Sequence, residues 1–451
     1  MPGIESRSPV PPRADRRKAS PDGGFMIRSS RARRAAITLA ASALVLTACG
    51  SDGGSDSKSD APDEGTSSSA PATTGDGVLK IGQLLPQTGD LAYLGPPEFA
   101  GVDLAIKEIN DAGGVLGKPV ESFKADSGDG TPDIAGASVD SLLQDSVDAI
   151  VGAAASGVSL SVIDKITGAG VVQISPANTA AAFDTYDDGG LYFRTAPSDR
   201  LQGQVLGNMA VEDGFSNVAV MARQDAYGEG LAEQVDQTLK EQGANVAAHI
   251  LYAADAQNFT AEVNEIAAAK PDALVLIAFN ETTKIIPQLI AKGIGPQDIQ
   301  LYFVDGNMAD YSAESFDLEG VKGTFPAPAE VDESFNQRLL EVDPKLKDFT
   351  YGPQSYDATI LTALAAIAAG DDSGEAIAGE LVNVSKDGEA CTTFADCAKL
   401  LEDGQDINYE GVSGPTDMND TGSPNAATIG IQEYAKNNKY SQIDSVSGVL
   451  E

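Results

Sequence analysis

Histidine occurs once in 451 residues, cysteine three times, and lysine plus arginine number only 30 against 67 aspartates and glutamates. Each scarcity removes a class of function. His249 is the sole imidazole, set in the strand-like stretch Ala247-Ala248-His249-Ile250-Leu251-Tyr252, where it reads as an ordinary strand residue. A Ser-His-Asp triad would need that one side chain to reach a cleft. No Gly-x-Ser-x-Gly, His-Glu-x-x-His or Walker A sequence occurs, so the motifs of serine hydrolysis, zinc proteolysis and nucleotide hydrolysis are missing. Carboxylates are plentiful, but abundance is not a catalytic constellation. The expectation is no enzyme, no metal and no cofactor. A net charge of −37 repels phosphate backbones and anionic headgroups alike, so nucleic acid is not an expected partner.

Residues 35–48 are uncharged and mainly apolar, yet too short to span a bilayer as a mature helix. They follow Arg28, Arg31, Arg33 and Arg34, which makes an export signal. Ala-Ala after the Arg33-Arg34 pair favours the general secretory route over twin-arginine export. Residues 1–25, rich in Pro, Arg and Ser, fit no folded element; Met26 gives a signal of ordinary length, so 1–25 reads as a misassigned start. Leu46-Thr47-Ala48-Cys49 resembles the lipobox of bacterial lipoproteins. That resemblance implies cleavage before Cys49, lipid on its thiol, and a mature protein anchored at the outer face of the cell membrane.

Removing residues 1–48 takes away nine basic and three acidic residues, leaving 403 residues and a net charge of −43. That length suits two lobes, each with its own core. Residues 49–77 are Ser, Gly, Asp, Thr and Pro with little to bury, and read as a disordered tether spanning roughly 30 Å. Cys391 and Cys397 are an even pair in an exported chain, so a local disulfide is expected. A metal site is the rival, with the only histidine far away in sequence.

From Val78 short apolar runs alternate with helical spacing, the signature of βαβ units and parallel sheets. Strands are expected at 79–85, 120–125, 149–152 and 171–174, and again at 218–221, 246–252, 273–279 and 301–304, with helices between. Two such series predict two similar lobes. Helices around 334–341 and 356–369 are too little for a third domain and complete the first two. Gly113 to Lys118 is expected to be a helix-ending turn rather than a phosphate loop, because Ala112 and Pro119 stand where a Walker sequence needs Gly and Ser/Thr.

In parallel sheets, ligands sit beyond the carboxyl ends of strands, where the next helix offers free N–H groups. Ser156 follows one such strand end, and Asn178 and Thr179 another, so hydroxyls and amides converge as they would on a carboxylate. Plain helix N-caps are the alternative for these residues. Asp305, directly after a strand, would suit a cation, although an Asp-Gly pair is also ordinary turn chemistry.

Several segments in order resemble the branched-chain amino-acid-binding proteins of ABC transporters. They include Gln83-Leu84-Leu85-Pro86-Gln87-Thr88-Gly89, Ile109-Asn110-Asp111-Ala112-Gly113-Gly114, Ile174-Ser175-Pro176-Ala177-Asn178-Thr179, Phe193-Arg194-Thr195 with Asp199 and Gly203, Asp225-Ala226-Tyr227-Gly228-Glu229-Gly230, and Phe303-Val304-Asp305-Gly306. The resemblance implies a type I periplasmic binding protein fold: two doubly wound parallel-sheet α/β lobes, joined by hinge strands around a ligand cleft. Lobe 1 is expected over 78–197 with 328–415, and lobe 2 over 198–327 with 416–451. By the same resemblance, Ser156, Asn178 and Thr179 hold the carboxylate and amino group of an amino acid, Tyr227 closes from across the cleft, and Asp305 faces the ammonium. Tyr93, Leu94 and Phe279 are expected around the ligand side chain. Asn280-Glu281-Thr282-Thr283 replaces an aromatic-rich family loop, which alters the side-chain pocket and leaves the amino-acid anchors in place. The implied role is a monomeric extracytoplasmic protein that hands an amino acid to ABC permease subunits. Amides, urea and aromatic or organic acids remain as alternative ligands, and sensing as an alternative role.

Overall fold

The computed structural model describes residues 74–130, 133–326 and 333–449. The expected signal, the lipobox-like stretch with Cys49 and nearly all of the expected tether lie outside the described residues.

The first sheet has five parallel strands: β1 (Lys80–Leu85), β2 (Glu121–Asp126), β3 (Ala149–Gly152), β4 (Val172–Ser175) and β5 (Tyr192–Arg194), in the order β2-β1-β3-β4-β5. β3 and β4 are buried along their whole length, as strands in a sheet covered on both faces must be. Helices α1 (Gly95–Asp111), α2 (Ala135–Gln144) and α3 (Ser156–Thr167) connect them. Pro96 and Pro97 open α1, where a missing N–H costs nothing. The chain then turns at 113–118, with Val115 and Lys118 exchanging backbone hydrogen bonds at 2.9 and 3.0 Å. This is the turn read from the sequence, and no phosphate loop.

The chain next passes through 195–198 into α4 (Asp199–Glu212) and a seven-stranded sheet. Its parallel members are β6 (Asn217–Gln224), β7 (Asn245–Ala253), β8 (Ala273–Ile277), β9 (Gln300–Phe303) and β10 (Lys322–Pro326). Helices α5 (Ala226–Glu241), α6 (Thr260–Ala269) and α7 (Thr282–Ala291) link the first four. Both sheets reverse strand order at the same place, between first and third strands, the switch point at which open α/β sheets take ligands.

The remaining chain serves both layers. Helices α8 (Glu333–Val342), α9 (Gly352–Ala369), α10 (Gly374–Val384) and α11 (Phe394–Glu402), with the small strands β11 (Glu389–Cys391) and β12 (Ile407–Gly411), share one apolar core with β1, β3 and α1, and β13 (Gly414–Pro415) pairs with β12. Strands β14 (Ala426–Tyr434) and β15 (Tyr440–Val449) then return to the second sheet as an antiparallel hairpin against β10. Cys391 and Cys397 are joined by a disulfide, with Cα atoms 5.4 Å apart. His249 lies on β7, its Nδ1 2.9 Å from Asp236 Oδ2; it is a surface-strand residue, as its sequence context suggests.

Candidate functional site: the interlobe cleft

Asp305 begins a short 3-10 turn directly after β9 and is buried at 4% exposure. Its Oδ1 accepts from the Tyr227 hydroxyl and from Gln202 Nε2, both at 2.7 Å, and its Oδ2 accepts from the Tyr351 hydroxyl at 2.8 Å. Tyr227 stands at the start of α5 because Asp225 caps that helix, accepting from the Gly228 N–H at 2.8 Å. Tyr93 donates to the Gly306 carbonyl at 3.1 Å, and the Gly306 N–H donates to the Tyr227 oxygen at 3.2 Å. Asp305 is therefore ringed by donors from α4, α5 and the turn before α9.

The sequence did not single out its neighbour. Asp199, first residue of α4, is fully buried, and among the described residues neither carboxylate oxygen has a hydrogen-bond partner. Burial, and then the negative charge of Asp305, hold its pKa well above the carboxylate range. The Thr179 hydroxyl is near enough to favour the charged form slightly, yet falls short of hydrogen-bond geometry. The Thr179 Oγ1 and Gln202 Oε1 are likewise buried without partners. Two acids, an amide oxygen and a hydroxyl thus stand together with more acceptors than donors. A group carrying several N–H bonds and a positive charge would satisfy such a set.

The facing wall is built for the opposite charge. α3 starts at Ser156, and its N-cap residue Ala155 has no side chain to satisfy the first amides, so the positive end of the helix is left for an anion. The Ser156 hydroxyl accepts from the Ala180 N–H at 3.3 Å, and the Thr179 carbonyl accepts from the Asp199 N–H at 2.7 Å. Asn178 has a different part from the one expected. Its amide nitrogen donates to the Ala153 and Ala154 carbonyls at 3.0 and 2.8 Å, and its oxygen accepts from the Tyr192 hydroxyl at 2.9 Å. That side chain shapes the loop. Arg194, also fully buried, clamps the same loop from behind through the Asn178 and Ala180 carbonyls at 3.2 and 3.0 Å.

Between the walls lies a cavity of about 20 Å³, lined by Leu94, Ser156, Ala177, Tyr227, Phe279 and Asp305 among others. That is room for about one water, so entry of anything larger requires the lobes to part. A roomier cavity of about 440 Å³ shares Tyr351 with it. Its acids are already engaged: Asp310 pairs with Lys439 at 3.1 Å, and Asp348 accepts from Thr350. Asp305 lines the smaller cavity and carries the unpaired Asp199 as its neighbour behind that lining, which makes the smaller cavity the candidate site. Among the described residues no cluster of three or more His, Cys, Asp or Glu is placed to hold a metal ion, and no helix is long and apolar enough to cross a membrane.

The family model described as "Periplasmic binding protein" matches residues 78–437. This chain belongs to that family. Its family is one of binding proteins that work outside the cytoplasm, and its family and fold are not those of enzymes. It is 26% identical to the chemotactic signal transduction system substrate-binding protein BasB of Halobacterium salinarum, over 75% of this chain and 83% of that one. The structure of leucine binding protein LivK from Thermotoga maritima matches 82% of this chain and 99% of its own with a TM-score of 0.69 at 21% identity. An ABC transporter solute binding protein from R. palustris, solved in complex with benzoate, matches 83% of this chain and 98% of its own, with a TM-score of 0.67 at 18% identity. These two likenesses establish the fold of the binding protein: two parallel-sheet lobes of type I.

Of the residues picked from the sequence, Leu94, Ser156, Tyr227, Phe279 and Asp305 line the cavity. Tyr93 borders it through Gly306, Thr179 lies beside Asp199 outside the lining, and Asn178 bonds the carbonyl of Ala154, which does line it. Asp199, Gln202 and Tyr351 were missed as site residues. Asp199 belongs to a quoted family segment, and a helix-opening Asp usually does no more than complement the helix dipole. Nothing in its own neighbourhood of sequence shows that its carboxylate turns inward.

Proposed function

We propose that this protein captures a free amino acid between its lobes. The carrying observation is the donor-poor pocket at Asp199 and Asp305 facing the uncapped start of α3. An α-ammonium satisfies Asp199, Thr179 Oγ1 and Asp305, while the α-carboxylate takes the α3 amides and the Ser156 hydroxyl. Charge-assisted hydrogen bonds of about 1.5–3 kcal/mol each make the roughly −8 kcal/mol of a micromolar complex attainable. Hinge closure follows from the ligand's preference for two walls at once.

In this reading lobe 1 comprises 78–197 with 328–415 and lobe 2 comprises 198–327 with 416–451. Export, lipid on Cys49 and a 49–77 tether keep the monomer beside ABC permease subunits. The benzoate-bound relative favours a second reading, an aromatic or organic acid as ligand, but an acid without an amino group leaves Asp199 unpaired. BasB, by its name a chemotactic substrate-binding protein, supports sensing as an alternative use of the same capture.

A thermal-shift screen of the mature chain carrying Cys49→Ser, against amino acids and the same acids lacking the amino group, tests the reading. Stabilisation by amino acids alone is expected. Stabilisation by the deaminated acids alone overturns the ammonium assignment.

A further inference from the structure

Phe279, two residues past the end of β8, lines the cleft cavity, and one face of its ring rests on a charge. The Arg223 guanidinium carbon lies 3.5 Å from the ring centroid, close for a cation against an aromatic face. Arg223 itself is 2% exposed. Its Nη1 donates to Glu281 Oε1 at 2.8 Å, and its Nε pairs with Asp225 Oδ2. Glu281, 1% exposed, also accepts from the buried Tyr252 hydroxyl at 2.8 Å. The ring of Phe279 stacks on Tyr227 with centroids 5.6 Å apart. Gly306 closes a further side so tightly that a Cβ there would meet the ring at 2.9 Å.

We infer that the Arg223–Glu281 pair limits the size of the ligand side chain, by pinning Phe279 in the cleft wall. Neither charged residue lines the cavity, so both are positioning residues acting through the ring. A buried ion pair is a poor way to gain stability, since apolar residues of like volume often serve as well or better. What this pair supplies is a fixed plane. Phe279, in contact with Arg223, Tyr227 and Gly306, is hindered from turning when a large side chain presses on it. The inference takes from the proposed function only that the ligand's side chain meets Phe279.

The test is calorimetric titration of the mature chain carrying Cys49→Ser, with two ladders of ligands. One is alanine, valine, leucine and phenylalanine; the other is propionate, 3-methylbutanoate, 4-methylpentanoate and 3-phenylpropionate. The proteins are the unaltered site, Arg223→Lys, and Arg223→Met combined with Glu281→Met. Lysine keeps the charge opposite Glu281 but lacks the flat face that lies on the ring. The double variant removes both charges together. In both variants the ratio of affinities, largest member over smallest, is expected to rise by about tenfold, the scale at which pockets discriminate side-chain size. Equal loss across the ladder, or an unchanged ratio, overturns the inference and leaves the pair a purely structural support. If the double variant does not fold, Arg223→Lys carries the test alone. Binding of the second ladder only defeats the amino-acid reading while the ratio still judges the pinning, and binding of neither ladder counts against both.

Discussion

Asp199 is a carboxylate whose surroundings penalise its charge and whose use requires that charge. Asp199→Asn removes the buried acid and keeps the shape, so resistance to urea is expected to hold or rise. Amino-acid affinity is expected to fall by about 10- to 100-fold, the loss of one charge-assisted hydrogen bond of about 1.5–3 kcal/mol. Calorimetry and denaturation on the same preparation check both signs. The pH dependence follows from the raised pKa. Above the ordinary carboxylate range the folded chain holds a proton that the unfolded chain has released, so ligand-free stability falls as pH rises. Asp148, which burial pushes up to about 7, adds to that slope between about pH 4 and 7. A cationic ligand expels the Asp199 proton, so affinity should climb over the range in which the ligand-free protein weakens. Melting temperatures from pH 4 to 8, with and without ligand, should diverge; Asp148→Asn should flatten the ligand-free curve below pH 7 and leave affinity alone. Asp305 and Tyr227 were legible because each follows a strand end within a recognisable segment. Asp199, Gln202 and Tyr351 were not, since what makes them site residues is their meeting from separate elements.

Among the elements, the start of α5 leaves no room for a side chain at Gly228. A Cβ on Gly228 would lie 2.1 Å from the Arg223 carbonyl. Gly228→Ala is expected to cost about 1–3 kcal/mol, as overpacking does, and to weaken ligand binding by moving Tyr227; a urea midpoint and a titration together report it. The parallel strands were readable since Ala149–Gly152 and Ala273–Ile277 are unbroken apolar runs. β5 and β11 have three residues each, and β13 has two, too few for any period to show. β15, with Ser, Gln and Asp among its residues and much of its length facing solvent, carries no apolar alternation that would announce a strand. Its place in the sheet comes from pairing with β14 over nine residues. That hairpin pairing is set by the neighbouring strand and not by any apolar pattern within β15 itself.

For the whole molecule, 67 acidic residues against 30 basic ones mean self-repulsion in the compact state, which salt screens. The melting temperature is expected to rise as sodium chloride goes from about 0.01 to 0.5 M, across the screening range, whereas a chain balanced in charge would show little change. Scanning calorimetry at both salts settles the direction. The two lobes were legible from repeated strand and helix spacing, while the meeting of their walls down to one water's volume was not, because closure depends on contacts such as Tyr351 to Asp305 that join distant segments. Those contacts have an optical consequence. The chain has twelve tyrosines and no tryptophan, and two of the tyrosine hydroxyls rest on the Asp305 carboxylate, a known quencher of phenol emission. Drawing that carboxylate toward a cation should brighten tyrosine fluorescence, so the protein carries its own label-free gauge of when the cleft is filled.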